Sequence, residues 1–121
     1  MIELVKATAS DEYLDFDHFL KAIADGHENI HTLIGSGIGL SGEVGEFNEI
    51  IKKHIFQGKA FDRDHAIKEL GDIYWYFAAA CIALETTPEE VADTIKEKLQ
   101  NRFNGGRFNK ELSENRKVND V

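Results

Sequence analysis

Apolar residues recur at the three-to-four-residue spacing of an α-helix along most of the chain, and this periodicity restricts the fold more than any other feature of the sequence. Few segments alternate with the two-residue period of a β-strand, and proline occurs once, at Pro88. We therefore predict an all-α fold. The 121 residues fit a single domain, with a core of about residues 10–108 and a polar C-terminal tail over residues 109–121.

Four helices are predicted, and together they favour a four-helix-bundle-like protomer. Their expected ranges are about residues 11–25, 30–56, 62–84 and 88–103. The fourth has the clearest start, because Thr87 suits the N-cap, Pro88 the first helical position and Glu90 the capping box. Ser10 is the expected N-cap of the first helix, and Gly58 marks the expected end of the second.

The second predicted helix contains an unusual number of glycines. They are Gly35, Gly37, Gly39, Gly42 and Gly45. In a helix interior each glycine costs about 1 kcal/mol relative to alanine. Two interpretations follow. Either the first half of this helix is irregular, or the glycines let another helix or a ligand approach the backbone closely.

The segment after Asp72 reads IYWYFAAACIAL, which is apolar on every side of a helix. A helix of this kind must be buried all round. Four short helices from one chain can hardly enclose it, so we predict that a second chain covers part of it, in a homodimer or a dimer of dimers. The alternative is a central helix sheathed by the neighbours of its own chain. The lone cysteine, Cys81, lies in this segment and is expected to be a buried thiol.

Two pairs of acids carry the chemical information: Glu43-x-x-Glu46 on the second predicted helix and Glu69-x-x-Asp72 on the third. Residues three apart share one face of a helix. The 22 residues between the pairs suffice to finish one helix, turn and begin an antiparallel partner. Helices packed about 8–10 Å apart would then bring the four carboxylates together. Because both pairs lie in apolar surroundings, their mutual repulsion favours a bound divalent cation.

All-oxygen ligation suits Mg²⁺, with Mn²⁺ as a possible substitute. The alternative is that the four acids are exposed and pair with nearby lysines. Those lysines are Lys52, Lys53 and Lys68. Two pairs at this separation, each embedded in apolar sequence, favour the metal site.

The charge balance restricts the partners of the chain. Its formal net charge is −8, from 22 acidic and 14 basic residues. This excess argues against a nucleic-acid polymer, which needs a basic surface, and it is compatible with a nucleotide bound through a divalent cation. No apolar run approaches the roughly 20 residues of a membrane span, and the first residues lack the pattern of a secretion signal. We therefore expect a cytoplasmic protein with no membrane partner.

Three segments of the chain closely resemble the MazG family of all-α nucleoside triphosphate pyrophosphohydrolases. They are GLSGEVGEFNEIIKK (residues 39–53), KELGDIYWYFAAA (residues 68–80) and EKLQNRF (residues 97–103). The resemblance spans about residues 30–108. It implies Mg²⁺-dependent hydrolysis of nucleoside or deoxynucleoside triphosphates between the α- and β-phosphates, giving a nucleoside monophosphate and pyrophosphate. It also implies that Glu43, Glu46, Glu69 and Asp72 bind the magnesium.

The same resemblance suggests roles for other residues. Lys98 and Arg102 match a basic pair of the family and are expected to bind substrate phosphate from one face of the fourth helix. We predict Glu46 as the catalytic general base. Many family members carry two adjacent acids at the start of the first motif, where this chain has Gly42 before Glu43. Glu49 is a possible replacement for the missing acid, but we interpret it as a solvated residue.

The aromatic residues after Asp72 allow two interpretations. Tyr74, Trp75 and Tyr76 offer a stacking surface for a base, but we interpret them as core or interface residues and leave them out of the predicted site.

Two other functions are compatible with the sequence. A non-catalytic nucleotide-binding helical dimer would keep the metal and phosphate contacts without turnover. A di-iron carboxylate protein is suggested by Glu28-x-x-His31, but such sites normally need a second element of this kind, and the segment from Asp62 to His65 is a poor match.

Overall fold

The computed structural model of the protein describes residues 1–103 and 108–115. Within these ranges the chain is all-helical, as the periodicity predicted, and contains no strand. The elements are α1 (Ile2–Thr8), a 3₁₀ turn η1 (Glu12–Leu14), α2 (Phe16–Asp25), α3 (Ile30–Gln57), α4 (Arg63–Ala83), α5 (Pro88–Arg102) and α6 (Lys110–Glu114).

The ends of the three long helices lie where the local sequence signals predicted them. Gly58 ends α3 in the left-handed conformation, with φ of 65°, which glycine adopts without steric cost. Asp62 caps α4 because its side chain accepts a hydrogen bond from the His65 backbone N–H at 3.0 Å. Thr87 caps α5 in the same way, accepting from the Glu90 N–H at 3.1 Å.

The N-terminal region differs from the prediction of one helix over residues 11–25. The chain forms the short turn η1 first, and Ser10 accepts a hydrogen bond from the Tyr13 N–H at its start. Asp15 then adopts an extended conformation and caps α2 by accepting from the Asp17 N–H at 3.0 Å. The single predicted helix was wrong because a second capping residue interrupts it. The short helices α1 and α6 were not predicted.

Helices α3 and α4 form an antiparallel hairpin, and theirs is the most extensive helix–helix contact in the described chain. Asn29, which precedes α3, donates a side-chain hydrogen bond to the Ala83 carbonyl at the far end of α4, at 3.0 Å. Small side chains allow the two helices to pack closely. The buried residues of the hairpin are Ser36, Ile50, Ala66, Cys81 and Ala83.

The described protomer departs from the predicted four-helix bundle. Helix α5 contacts α4 over only a short stretch, and the main contact of α2 is with η1. The apolar face of α2 therefore stays open, and Phe16 and Phe19 on it are exposed.

Much apolar surface remains uncovered. Trp75 is 67% exposed and Ile82 is 75% exposed, although both lie on the helix predicted to be buried all round. The accessible area is 9938 Å², about half as much again as the roughly 6,600 Å² expected for a compact chain of this mass. None of the helices in residues 1–103 and 108–115 has the length and apolarity needed to cross a membrane.

Candidate metal centre

Three acids from the two helices of the hairpin converge on one point. Glu43 comes from α3, and Glu69 and Asp72 come from α4, where their three-residue separation places them on one face. One carboxylate oxygen of each lies within 4.8 Å of the corresponding oxygens of the other two. This is the one group of three or more acidic, histidine or cysteine side chains at such spacing in the described parts of the chain.

Glu69 is a largely buried member of this acidic group. Its side chain is only 12% exposed, and its Oε1 accepts a hydrogen bond from Nε2 of His65 at 3.0 Å. Its Oε2 is buried and has no hydrogen-bond partner among the residues that the structure describes. A buried carboxylate oxygen without a partner is costly. A cation beside it would supply the missing interaction.

The electrostatics at Glu43 also favour a bound cation. The pKa of Glu43 is raised above its ordinary value of 4.5, first because the protonated form can donate a hydrogen bond to the Glu69 carboxylate, and second because burial disfavours the charged form. Repulsion from Asp72, Glu69 and Glu46 adds to this shift. The three converging carboxylates form an all-oxygen donor set, which fits Mg²⁺ or Mn²⁺.

Glu46, the fourth predicted ligand and the predicted general base, lies one turn further along α3 and is exposed. It does not belong to the group of acids within 4.8 Å of one another. Its charge nevertheless contributes to the raised pKa of Glu43. The structure thus brings three of the four predicted acids together and leaves Glu46 beside them.

Two cavities flank the acidic group. One of about 320 Å³ is lined by Glu43, Asp72, Trp75 and Tyr76. The other, of about 280 Å³, lies towards the α3–α4 turn. Its lining includes Glu46, Glu49, Lys53, Lys59, Asp62 and His65. The acidic residues therefore separate an aromatic cavity from a cavity of mixed charge.

The model of the MazG nucleotide pyrophosphohydrolase domain matches residues 36–106. The chain belongs to this family. Comparison with curated proteins gives no match, and comparison with solved structures gives none. The matched range includes the acidic group, both flanking cavities and all of α5.

Within the MazG domain, two aromatic residues that the sequence favours as core or interface residues line the cavity beside Glu43 and Asp72. Trp75 and Tyr76 follow Asp72 by three and four residues, so they lie on the face of α4 that carries the acids. Tyr76 is half-buried against α3, and Trp75 is exposed in the protomer. The helical spacing from Asp72 was the signal that places them beside the acids.

The predicted phosphate-binding pair of the MazG domain lies on α5. Lys98 and Arg102 are one turn apart and half-buried. The Arg102 guanidinium carbon is 5.9 Å from the centre of the Phe103 ring. Neither residue lines the two cavities beside the acids. Their role in phosphate binding stays a prediction.

Two remaining sequence hypotheses lie apart from the acidic group. Glu49 pairs with Lys52 at 3.7 Å on the half-exposed side of α3, as expected of a solvated residue. Glu28 and His31, which suggested a di-iron site, are not part of the acidic group, and that group contains no histidine.

Proposed function

We propose that the protein hydrolyses nucleoside or deoxynucleoside triphosphates at the bond between the α- and β-phosphates, with Mg²⁺ as cofactor. Water is consumed, and the products are a nucleoside monophosphate and pyrophosphate. Membership of the MazG family supports the reaction class. The observation that carries the proposal is that the Glu69 carboxylate, which converges with those of Glu43 and Asp72, has a buried Oε2 without a hydrogen-bond partner among the described residues.

The proposed metal ligands are Glu43, Glu69 and Asp72, with Glu46 as a fourth. A divalent cation, when bound, supplies positive charge for the triphosphate and lowers the pKa of water. The carboxylates of both helices of the hairpin would hold this cation beside the substrate. Mn²⁺ is expected to substitute for Mg²⁺, because both accept oxygen ligands.

We assign the catalytic proton transfer to Glu46. It is exposed and lies one turn from Glu43, so it can face a water molecule at the edge of the acidic group. Its carboxylate would accept the proton as the water oxygen attacks phosphorus and the bridging bond between the α- and β-phosphates breaks.

The flanking aromatic cavity is the proposed site for the base. Trp75 and Tyr76 present ring surface there, and aromatic rings stack on bases of any identity. Lys98 and Arg102 are the proposed phosphate ligands, because arginine offers two parallel N–H groups to phosphate oxygens and lysine a point charge. The metal would then balance the charge of the acidic residues, and Lys98 and Arg102 would balance the charge of the substrate phosphates.

We further propose that the protomers assemble as a homodimer or a dimer of dimers. The support is the excess accessible area and the exposed apolar residues of α4 outside the aromatic cavity, such as Tyr74 and Ile82. Stable obligate interfaces bury on the order of 2,000–5,000 Å². Association that covered α4 would remove the exposed apolar surface that one protomer leaves open.

The proposed reaction is tested by measuring pyrophosphate release from a panel of nucleoside and deoxynucleoside triphosphates, with Mg²⁺, with Mn²⁺ and with a chelator. Wild type should release pyrophosphate only with metal. Glu46→Gln should lower the rate at least about a hundredfold, as expected for loss of a general base or ligand. Glu49→Gln, on the same helix, is the matched control and should keep the wild-type rate. Nucleotide binding without turnover of any substrate would instead support a nucleotide sensor.

A further inference from the structure

His65 contacts the acidic group without belonging to it. Its Nε2 lies 3.0 Å from Glu69 Oε1, but its ring nitrogens do not join the group in which oxygens of Glu43, Glu69 and Asp72 all lie within 4.8 Å of one another. A carboxylate only accepts hydrogen bonds, so the imidazole N–H is the donor. This arrangement engages Oε1 of Glu69, whereas Oε2 is buried and has no hydrogen-bond partner among the described residues.

We propose that His65 is a positioning residue, which fixes the Glu69 side chain in the orientation that presents Oε2 to the cation. The inference rests on the proposed metal centre. A glutamate side chain has three rotatable bonds, and several orientations are open to it unless a neighbour selects one. The hydrogen bond from His65 selects the orientation in which Oε1 faces the imidazole and Oε2 is buried.

The backbone at the start of α4 holds His65 in position for this role. Asp62 caps α4 through the His65 N–H at 3.0 Å, which fixes the first turn of the helix. His65 and Glu69 are four residues apart and therefore on one face. The ring is half exposed, with a side-chain exposure of 53%, whereas Glu69 is 12% exposed. A partly solvated donor thus reaches inwards to a buried acceptor.

A structural role alone does not explain this contact. The His65 ring is not part of the buried core, so its removal leaves no internal cavity. Alanine is the best helix former, and α4 keeps its Asp62 cap in a His65→Ala variant because the cap uses the backbone. The variant is therefore expected to fold, and its defect should be confined to the metal centre.

The test is calorimetric titration of Mn²⁺ and of Mg²⁺ into the metal-free protein, without nucleotide. Loss of a hydrogen bond to a metal ligand typically weakens metal affinity 10- to 100-fold, and we expect that loss for His65→Ala. His65→Gln, whose amide can donate to a residue four positions on, should recover most of the affinity. His18→Ala, an exposed histidine on α2, is the control and should bind metal as wild type does.

Activity provides a second readout. In His65→Ala the Mg²⁺ concentration for half-maximal activity should rise by the same 10- to 100-fold, and the rate at saturating Mg²⁺ should return close to wild type. Thermal unfolding of the metal-free variants serves to confirm that all of them fold. Wild-type Mn²⁺ affinity in His65→Ala, or an equal loss in His65→Gln and His65→Ala, would overturn the positioning role.

Glu69→Gln separates this inference from the proposed function. If Glu69→Gln loses metal binding while His65→Ala keeps it, the metal centre stands and the role of His65 is wrong. If Glu69→Gln binds Mn²⁺ as tightly as wild type, the metal centre itself is wrong, and the inference about His65 is overturned with it.

Discussion

The ring of Tyr76 on α4 occupies the space that a side chain at Gly39 on α3 would need. A Cβ atom placed on Gly39 would overlap three ring atoms of Tyr76. The two helices therefore approach each other closely at this level, one turn from Glu43. The aromatic wall of the candidate site depends on this glycine, because Tyr76 could not lie there against a larger residue.

Gly39→Ala is expected to destabilise the protein, because forcing extra volume into a packed contact typically costs about 1–3 kcal/mol. Gly42→Ala is the matched control. A Cβ on Gly42 meets nothing within 4 Å in the protomer, so the substitution should stabilise α3 by about 1 kcal/mol. Urea unfolding of both variants measures the difference.

A double-mutant cycle with Tyr76→Ala assigns the cost to the ring. With the ring removed, Gly39→Ala should no longer be unfavourable and should behave like Gly42→Ala. If Gly39→Ala has the same cost whether or not Tyr76 is present, the overlap is not its cause.

The hydrogen bond from the His65 N–H to Asp62 predicts a second effect on stability. Asp62→Ala removes this cap at the start of α4 and should cost about 1 kcal/mol, typical of N-cap replacement. Asp62→Asn keeps an accepting oxygen and should cost less. Asp64→Ala, in the first turn of the same helix, should cost only a few tenths of a kcal/mol, because Asp64 interacts there with the helix dipole and does not cap. If thermal or urea unfolding shows a larger loss of stability for Asp64→Ala than for Asp62→Ala, the assignment of Asp62 as the cap is contradicted.

The proposed assembly predicts that a substitution at Ile82 changes the oligomeric state and the stability of the protein. This residue is 75% exposed in the protomer, and a substitution at an exposed site normally changes stability by no more than about 0.5 kcal/mol. If a second chain covers α4, Ile82→Glu should instead shift the oligomer towards monomer and lower its thermal stability. Light scattering after size exclusion measures the mass. Ile2→Glu changes a similarly exposed isoleucine on α1 and should leave the oligomer intact.

A monomeric wild type at micromolar concentration would contradict the assembly proposal. An Ile82→Glu variant with wild-type mass and stability would instead place the interface elsewhere on the protomer.

The sequence predicted the parts of the site that depend on local geometry. The three-residue spacing of Glu69 and Asp72 fixes their common face on any α-helix, and the 22 residues between the acid pairs allow an antiparallel hairpin. The ends at Gly58 and Thr87 were predictable for the same reason, since each signal acts within one turn. These features need no knowledge of how α3 and α4 pack.

The remainder depends on the rotation of each helix about its own axis, which the sequence leaves open. Glu43 and Glu46 look equivalent as a pair, but only Glu43 joins the group of three. Five glycines on α3 look alike, but only Gly39 among them meets the facing helix within 4 Å. The close-approach interpretation was therefore right at one position, and α3 is a continuous helix throughout. The contact from His65 to Glu69 is different, because the four-residue spacing of these residues within α4 is a local signal that could have predicted it.

The raised pKa of Glu43 predicts how the stability of the metal-free protein depends on pH. Its pKa lies above the ordinary 4.5, first because the protonated form can donate a hydrogen bond to Glu69, and then because of burial and the neighbouring carboxylates. The folded chain therefore holds this proton more tightly than the unfolded chain does. The resulting stabilisation is fully present below pH 4.5 and is lost as the pH rises through the raised value.

The measurement is urea unfolding with a chelator, at pH values from below 4.5 upwards, on wild type and on Glu43→Gln. The difference between the two isolates the contribution of Glu43, because the other titrating groups are shared. Wild type should lose stability relative to the variant as the pH rises. Saturating Mg²⁺ should reverse this trend, because the cation binds the deprotonated carboxylates and stabilises the folded state that holds them. Without metal, the stability difference between wild type and Glu43→Gln could instead stay constant, or grow in favour of wild type, as the pH rises. Either result would show that the three carboxylates do not repel one another in the folded protein.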